Sequence, residues 1–460
     1  MEKQVNNIRN ITKIYMMGSR MLEIVLVVVL CILAGKVMDY IYIRDWYNDS
    51  ASWEKAVLKE FYLQKKNIDY LYLGSSHVYR DVIPDRMDEI NGKNNFNLAT
   101  SSQPYMASYY LLKEAAERND LEHVYMEMYY VLPYMFGNRD SAEVMTKNWD
   151  VLYQMPLSLN KLDYMCNLAN KKYGIMTFFP VRRVAEHVFD AEYIRANLIQ
   201  KRTEDYRRNI HILDEQAPLF KKGFCTTLNH VEQGTFEGNS SPIQEQWIDS
   251  ESKKYLCKII EFCQKEKIDI TLFTSPMPDF RLCCMGNYDQ YIKKVNEVAD
   301  EYGIHYYDFN LCNTKYLNLQ DDSCFTDYDH LSYEGSLLYT DILGEVLLSE
   351  IERRDLPDQV FYSTYEEKLA SIEHRIFGLD IQQDMSKEEK TYMLYSVDNL
   401  TDTVAEFRVS KIGMGDKETI VQEWSTQNCV VFPAEESGVF IVEARPRGNK
   451  KVTNRVETEY

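Results

Sequence analysis

Short apolar runs alternate with amphipathic stretches between about residues 68 and 353. Polar residues, glycine or proline bound the runs, as is typical of buried strands. We predict five strands, the first ending at Gly74 and the others covering Asn94–Ala99, His123–Tyr130, Ile268–Pro276 and Ile304–Phe309. Helical spacing predicts helices over Asp45–Lys66, Ser102–Arg118, Ser252–Lys267, Tyr288–Tyr302 and Tyr333–Arg353. This alternation predicts an α/β domain over 46–355 with a parallel sheet.

The helix after the second strand has a recognisable start. Ser101 or Ser102 is of the type that caps a helix N-terminus, and Pro104 would then lie in the first turn. The helix is therefore predicted to begin at about residue 102.

A long stretch, about 131–250, separates the third strand from the fourth. It exceeds the length of an inert loop, so we predict a helical insertion that covers the carboxyl edge of the sheet as a lid. Residues 171–222 hold eleven basic and seven acidic side chains, a local reversal in an acidic chain. The basic residues could face anionic lipid headgroups or a phosphate-bearing polymer, or they could form a solvated helical face.

The pattern changes after Arg354. We interpret 356–390 as a linker. From about Thr391 the runs alternate with period two and are separated by turn residues. This spacing predicts a small, immunoglobulin-like β-sandwich over 391–460.

The segment Met21–Ile43 is apolar apart from Glu23, Lys36 and Asp39. Four basic residues precede it (Lys3, Arg9, Lys13 and Arg20). The positive-inside rule then predicts a single-pass transmembrane anchor, with residues 1–20 in the cytoplasm and the remainder exported. The alternative is a cleaved signal peptide, since the strongest apolar core is short.

The net charge of −19 argues against nucleic acid as a partner, because phosphate binding needs a basic face. The eight histidines include no HExxH or similar cluster, so neither a metal site nor a cofactor is predicted.

The candidate chemistry lies at the end of the first strand and near the last helix. Ser76 follows the first strand, where open α/β sheets place their ligands. Asp327 and His330 lie three residues apart, a spacing that lets the carboxylate reach Nδ1 and leaves Nε2 for a serine hydroxyl. Asp329 is the poorer orienting group because it is adjacent to the histidine. The alternatives are a simple turn at Ser76 and a capped helix start after residue 327, since Asp327, Asp329 and Ser332 are all good N-cap types.

Together these segments resemble the SGNH (GDSL-like) hydrolase superfamily, in particular its membrane-anchored bacterial branch that acts on cell-envelope polymers. The resemblance covers about 68–350 and implies a flavodoxin-like, three-layer α/β domain. The first block appears as Gly74-Ser75-Ser76, with Ser76 as the nucleophile, and the last block as Asp327-Tyr328-Asp329-His330. The second block covers Asn97 to Ser102. Ser102 stands where glycine is usual in the family, and the resemblance implies that its backbone N–H is an oxyanion donor.

The third block departs from the family pattern. An asparagine is expected just after the third strand, where this chain has Met128-Tyr129-Tyr130. Gln103 or another group would have to replace that donor, since losing one oxyanion donor costs about 10²–10³-fold in rate. His77, next to the nucleophile, is expected to support the site from behind.

The resemblance implies a serine esterase or O-acyltransferase that acts outside the cytoplasm on acetyl or D-alanyl groups. The implied partners are a cell-envelope glycan or teichoic acid, the membrane through the N-terminal helix, and a multispanning membrane acyltransferase. The alternative is a weakly active or inactive SGNH-like scaffold that binds glycan or recruits such an acyltransferase. The missing asparagine favours the scaffold, whereas Ser76, Asp327 and His330 favour the enzyme.

Overall fold

The structure is a computed structural model that describes residues 20–459 with gaps at 24–25, 28, 32, 43–48, 131–140, 204–218, 232–247, 284, 286, 328, 373–375, 377, 385–389, 399–403, 414–416, 434–437, 449, 451 and 453. The chain divides into two compact units. One comprises Met1–Ser52 and Pro156–His211, and the other Trp53–Met155 and Ile212–Tyr460. The stretch predicted as one insertion is thus shared between the two units.

The strands before residue 310 form one sheet and a separate hairpin. They are β1 (Tyr70–Leu73), β2 (Asn95–Asn97), β3 (His123–Glu127), β4 (Leu219–Lys221), β5 (Phe224–Thr226), β6 (Asp269–Thr274) and β7 (His305–Asp308). β4 and β5 make the antiparallel hairpin. The other five strands pair in parallel in the order β2-β1-β3-β6-β7. The predicted α/β class and parallel sheet are confirmed, and this is the strand order of flavodoxin-like sheets.

Helices connect and cover these strands. They are α1 (Asp49–Leu63), α2 (Ser76–Asp81), α3 (Pro84–Asn91), α4 (Tyr105–Arg118), α5 (Ala142–Gln154), α6 (Leu159–Leu168), α7 (Gly174–Phe178), α8 (Ala191–Gln200), α9 (Ser250–Glu266), α10 (Asp279–Cys283), α11 (Tyr288–Tyr302), α12 (Tyr333–Glu352) and α13 (Tyr365–Ser371), with 3₁₀ turns at Pro180–His187, Phe309–Leu311 and Asp322–Cys324. α3 packs on α12, and α4 packs on α9. Because β1 to β2 and the later crossovers run in opposite directions, right-handed connections place these two pairs on opposite faces of the sheet.

The predicted start of α4 is wrong. Ser102 has a left-handed backbone (φ 49°), which a helix cannot include. The helix begins at Tyr105 instead, after Pro104 in extended conformation, and no side chain caps it. Serine is a common N-cap type, which favoured a helix start at Ser101 or Ser102. Capping preference carries no information about the sharp bend at Ser102.

In the first unit, the described residues between 20 and 42 are helical. Side chains of α8 and the residue after it hold the end of this segment. Tyr193 Oη and Asn197 Nδ2 donate to the Tyr42 carbonyl at 3.0 and 3.1 Å, and Lys201 Nζ donates to the Tyr40 carbonyl at 2.5 Å. Residues 40–42 therefore belong structurally with α8.

In the part of the chain that the structure describes, no helix combines the length and apolar character needed to cross a membrane.

The basic cluster of 171–222 is partly neutralised. Lys221 Nζ lies 2.5 Å from Asp85 Oδ2, and Lys222 Nζ is paired with Asp88. Carboxylates of the second unit therefore neutralise the charge of these two lysines. Arg207 and Arg208 lie outside the described residues.

The C-terminal strands form two antiparallel sheets. They are β8 (Gly378–Asp384), β9 (Lys390–Asp398), β10 (Ala405–Ile412), β11 (Glu418–Ser425), β12 (Cys429–Pro433), β13 (Val439–Pro446) and β14 (Asn454–Glu459). The sheets have the orders β12-β9-β8 and β11-β10-β13-β14. One core joins them, with Leu379 and Met393 from the first sheet against Phe407 and Phe440 from the second. This is sandwich packing, and the immunoglobulin-like assignment stays a prediction.

The stretch 356–390, interpreted as a linker, contains both α13 and β8. Lys368 of α13 is completely buried, and its Nζ lies 2.9 Å from Oδ1 of the equally buried Asp279. α13 therefore packs on the α/β domain through a buried ion pair, while β8 belongs to the sandwich.

Candidate active site

A tight turn after β1 presents Ser76. Ser75 caps α2, because its Oγ accepts a hydrogen bond from the His77 N–H at 3.2 Å. Ser76 is consequently the first residue of α2, at the carboxyl end of a central strand. This is the edge at which open parallel sheets bind ligands.

Gly74 is required by a close approach to β3. A Cβ at this position would lie 2.5 Å from Glu127 Oε2, 2.6 Å from Glu127 Cβ and 2.5 Å from Val78 Cγ2. Glu127 and Val78 are both buried, so neither side chain can move aside without disturbing the sheet or the turn.

We expect Gly74→Ala to destabilise the protein and misplace Ser76. Overpacking of this kind costs about 1–3 kcal/mol. The measurement is the free energy of unfolding in denaturant. Gly174→Ala serves as the control, because an added Cβ there would lie 3.7 Å from Ala169 Cβ, an ordinary contact, and the backbone φ of Gly174 is not positive. Equal stability of Gly74→Ala and the wild type would contradict the prediction.

The loop before α12 carries the aspartate and the histidine. Asp327 Oδ1 accepts from the backbone N–H groups of Asp329 and His330 at 2.8 and 2.9 Å. Ser332, rather than Asp327 or Asp329, caps α12, since its Oγ accepts from the Gly335 N–H. The helix-cap alternative is therefore confirmed for Ser332 and wrong for the two aspartates.

Ser76, His330 and Asp327 form a continuous relay. His330 Nε2 lies 2.8 Å from Ser76 Oγ, and Nδ1 lies 3.0 Å from both carboxylate oxygens of Asp327. Burial raises the pKa of Asp327, but hydrogen bonds and the charge of His330 outweigh it and hold the pKa below its usual value. Arg80 lies 3.6 Å from the same carboxylate. Asp327 is thus ionised at neutral pH, with its charge directed at Nδ1.

Asp329 points elsewhere, as its sequence position suggested. Its Oδ1 accepts a hydrogen bond from Arg281 Nε at 3.2 Å. The same loop thus carries one carboxylate against the histidine and one against an arginine.

His77 lies behind the histidine of the relay. Its ring centroid is 3.9 Å from that of Tyr129 and 4.8 Å from that of His330, and its Nδ1 is 3.4 Å from Ser75 Oγ. Burial, and then the neighbouring His330, lower the pKa of His77 well below its usual value. A neutral His77 lets a positive charge develop on His330 without repulsion from a second cation.

The segment 97–103 lies beside the serine turn. Thr100 N–H donates to the Gly74 carbonyl at 3.3 Å, and Asn97 Nδ2 donates to the Val78 carbonyl of α2 at 2.7 Å. Gln103 is completely buried. Its Oε1 accepts from the Thr100 hydroxyl and its Nε2 donates to Ser108 Oγ, both at 2.9 Å. These contacts do not support Gln103 as a replacement for the missing asparagine.

The described residues directly after β3, Met128 to Tyr130, supply no side-chain amide. Tyr130 is buried and its hydroxyl donates to Asn287, while the Met128 sulfur accepts from the Tyr105 hydroxyl at 3.4 Å. Among the described residues of the serine turn and of 97–103, the candidate donors for an oxyanion are backbone groups. Within the described residues, the N–H groups of Ser76 and Ser102 donate to no other protein group, unlike that of His77.

Glu127, the last residue of β3, lies directly under the serine turn, and sequence reasoning missed it. The signal was a lone acidic residue in the apolar run 123–130. Among the described residues, no group of three or more His, Cys, Asp or Glu side chains could hold a metal ion.

No protein-family model matches the chain, and no curated protein is similar enough to be counted as a relative. The relay and its surroundings are therefore the basis for a functional assignment.

Proposed function

We propose that this protein is a serine esterase or O-acyltransferase that acts through an acyl-enzyme on Ser76. The observation that carries the proposal is the relay Ser76–His330–Asp327, with its contacts of 2.8 and 3.0 Å. A nucleophile, a base and a group that orients the base are the minimum for this chemistry.

The steps follow from the contacts. Ser76 Oγ attacks an ester carbonyl as its proton passes to His330 Nε2, and Asp327 stabilises the imidazolium. The backbone N–H groups of Ser76 and Ser102 are the proposed donors to the oxyanion. His330 then returns the proton to the departing alkoxide. Water or a sugar hydroxyl attacks the Ser76 ester in the same way, which completes hydrolysis or transfer.

Two features support membership of the SGNH superfamily. The five-stranded parallel sheet has the order expected of a flavodoxin-like domain. Ser102 occupies a left-handed conformation, with φ of 49°, which glycine adopts most easily. The family's usual glycine at this block position would have the same backbone.

The location and substrate are proposed from the sequence. Residues 21–43 would anchor the protein with its N-terminus in the cytoplasm. The α/β domain would then meet acetyl or D-alanyl groups on a cell-envelope polysaccharide or teichoic acid, with a multispanning membrane acyltransferase as partner. The described residues Met128 to Tyr130 offer no side-chain amide after β3, which supports the alternative, a scaffold that binds glycan or the acyltransferase without turnover.

Labelling with a fluorophosphonate tests the proposal, because the probe reacts with activated serines. We expect the full-length protein in detergent to be labelled, Ser76→Ala to lose the label, and Ser75→Ala to keep it. Ser75→Ala is the matched control, since it removes the adjacent hydroxyl. Failure of a folded wild type to react would favour the scaffold.

A further inference from the structure

Glu127 occupies a central place under the serine turn. It ends β3, which pairs with β1 up to Leu73, the residue before Gly74. Its side chain is completely buried, and its Cβ and Oε2 fill the space that a side chain at position 74 would need. A carboxyl group in such a place must be compensated by local hydrogen bonds.

One carboxylate oxygen is compensated and the other is not. Glu127 Oε2 accepts a hydrogen bond from the Ser75 N–H at 2.5 Å. Glu127 Oε1 is buried and has no hydrogen-bond partner among the residues that the structure describes. The bond to Ser75 is therefore the contact that ties this group to the fold, and it ends one residue before the nucleophile.

The groups facing Glu127 come from several elements. Asp81 of α2 is completely buried, and its Oδ1 accepts from the Leu331 N–H at 3.2 Å. Burial, and to a lesser extent the charge of Glu127, raise the pKa of Asp81. Burial and the charge of Glu127 also contribute to the raised pKa values of four neighbouring tyrosines, which stay neutral near pH 7 (Tyr105, Tyr129, Tyr291 and Tyr339). In the described part of the chain, no cation contributes to the pKa shift of Glu127.

We propose that Glu127 is a positioning residue for the nucleophile, which holds Ser76 against His330 through the Ser75 N–H. This inference rests on the proposed function of Ser76. Removing the acceptor leaves a buried N–H unsatisfied and frees the turn. A displacement of about 1 Å at a nucleophile can cost about 10²-fold in rate.

The ionisation of Glu127 makes the role measurable. Burial raises the pKa of Glu127 to about 7, although its hydrogen bonds with Ser75 lower it in part. As the pH rises through this value, the Ser75 N–H bonds to a charged oxygen, and charge-assisted hydrogen bonds are about twice as strong as neutral ones. The turn should be held more firmly above pH 7 than below it.

The experiment measures the fluorophosphonate labelling rate of full-length wild type and Glu127→Gln in detergent from pH 5.5 to 8.5. Glutamine keeps an oxygen that can accept from Ser75 and removes the titration. We expect the ratio of wild-type to variant rates to rise from about one to about tenfold, with its midpoint near pH 7. The ratio cancels the pH dependence of the probe's own chemistry.

A change in stability cannot explain this result, because the stability of the wild type should fall as the pH rises, whereas its relative labelling rate should increase. A carboxyl with a raised pKa binds its proton more tightly in the folded state, so the stability it contributes is lost as the pH rises from about 4.5 to about 7. Glu127→Gln has no carboxyl at this position and does not lose this stability. The difference between its thermal midpoint and that of the wild type should therefore increase between about pH 4.5 and about pH 7. Glu127→Leu, which removes the acceptor, should be labelled about 10²-fold more slowly at every pH, with an unchanged probe concentration at half-saturation.

Two controls separate the explanations. Asp308 is another buried carboxyl at the carboxyl edge of the sheet, with a pKa of about 6 that burial raises, and it bonds to Tyr288 rather than to the serine turn. Asp308→Asn should give a flat ratio. The assignment would be overturned if the ratio of wild-type to variant labelling rates changed with pH for Asp81→Asn and stayed constant for Glu127→Gln. Labelling of both Glu127 variants at the wild-type rate would also overturn it. An unlabelled wild type would instead refute the function of Ser76.

Discussion

Ser76→Ala and His330→Ala should each lower ester turnover by about 10⁴–10⁶-fold, whereas Asp327→Ala should cost about 10³–10⁴-fold. The three groups act as a unit. Without the hydroxyl no acyl-enzyme forms, and without the imidazole its proton has no acceptor. Without Asp327 the ring is still present, but it loses the carboxylate that lies 3.0 Å from Nδ1.

Steady-state hydrolysis of a small neutral ester measures these effects. Asp329→Ala is the matched control for Asp327→Ala, because it removes a carboxylate from the same loop that bonds to Arg281 instead of the histidine. We expect Asp329→Ala to retain most of the turnover. Turnover that survives in Ser76→Ala would exclude the acyl-enzyme on this serine.

Lys368→Ala should lower the free energy of unfolding by about 3–5 kcal/mol, because it leaves a buried carboxylate without its partner. Lys368 and Asp279 are both completely inaccessible to solvent, with 2.9 Å between Nζ and Oδ1. Denaturant unfolding measures the loss. Lys315→Ala is the control, since Lys315 and Asp358 are exposed and 4.0 Å apart, and such pairs contribute about 0–1 kcal/mol. A loss as small as that of the control would refute the prediction.

The same ion pair indicates where the chain can be shortened. A protein that ends at residue 360 loses Lys368 and exposes Asp279, whereas one that ends after Ser371 keeps the pair and removes the sandwich strands. The boundary inferred from composition, between an α/β domain ending at 355 and a linker, therefore cuts through packed structure.

Sequence reasoning succeeded where local pattern and chemistry coincide. The run before Gly74 is a strand because its residues are buried on both faces, and the Asp327–His330 spacing fits a loop that closes on one carboxylate. The start of α4 was wrong because capping types do not reveal the left-handed bend at Ser102. Local patterns report the backbone well only where no long-range contact overrides them.

Glu127 and Lys368 were missed for a related reason. Each is a charged residue that is completely buried, against the general tendency of its type. Their partners, Ser75 and Asp279, are 52 and 89 positions away in the chain. Nothing in a single sequence states such pairings, since they depend on how the strands and helices are assembled.

The bonds from α8 to the carbonyls of residues 40–42 bear on how the protein is produced and processed. Asn197 is completely buried, and Lys201 is nearly so, and both would lose backbone acceptors in a recombinant protein that starts after residue 42. Such a protein should be more sensitive to proteolysis within 156–203. A peptidase that cut after Ala34, as for a cleaved leader, would leave residues 40–42 in place. The contacts between α8 and residues 40–42 would then survive in the cleaved protein.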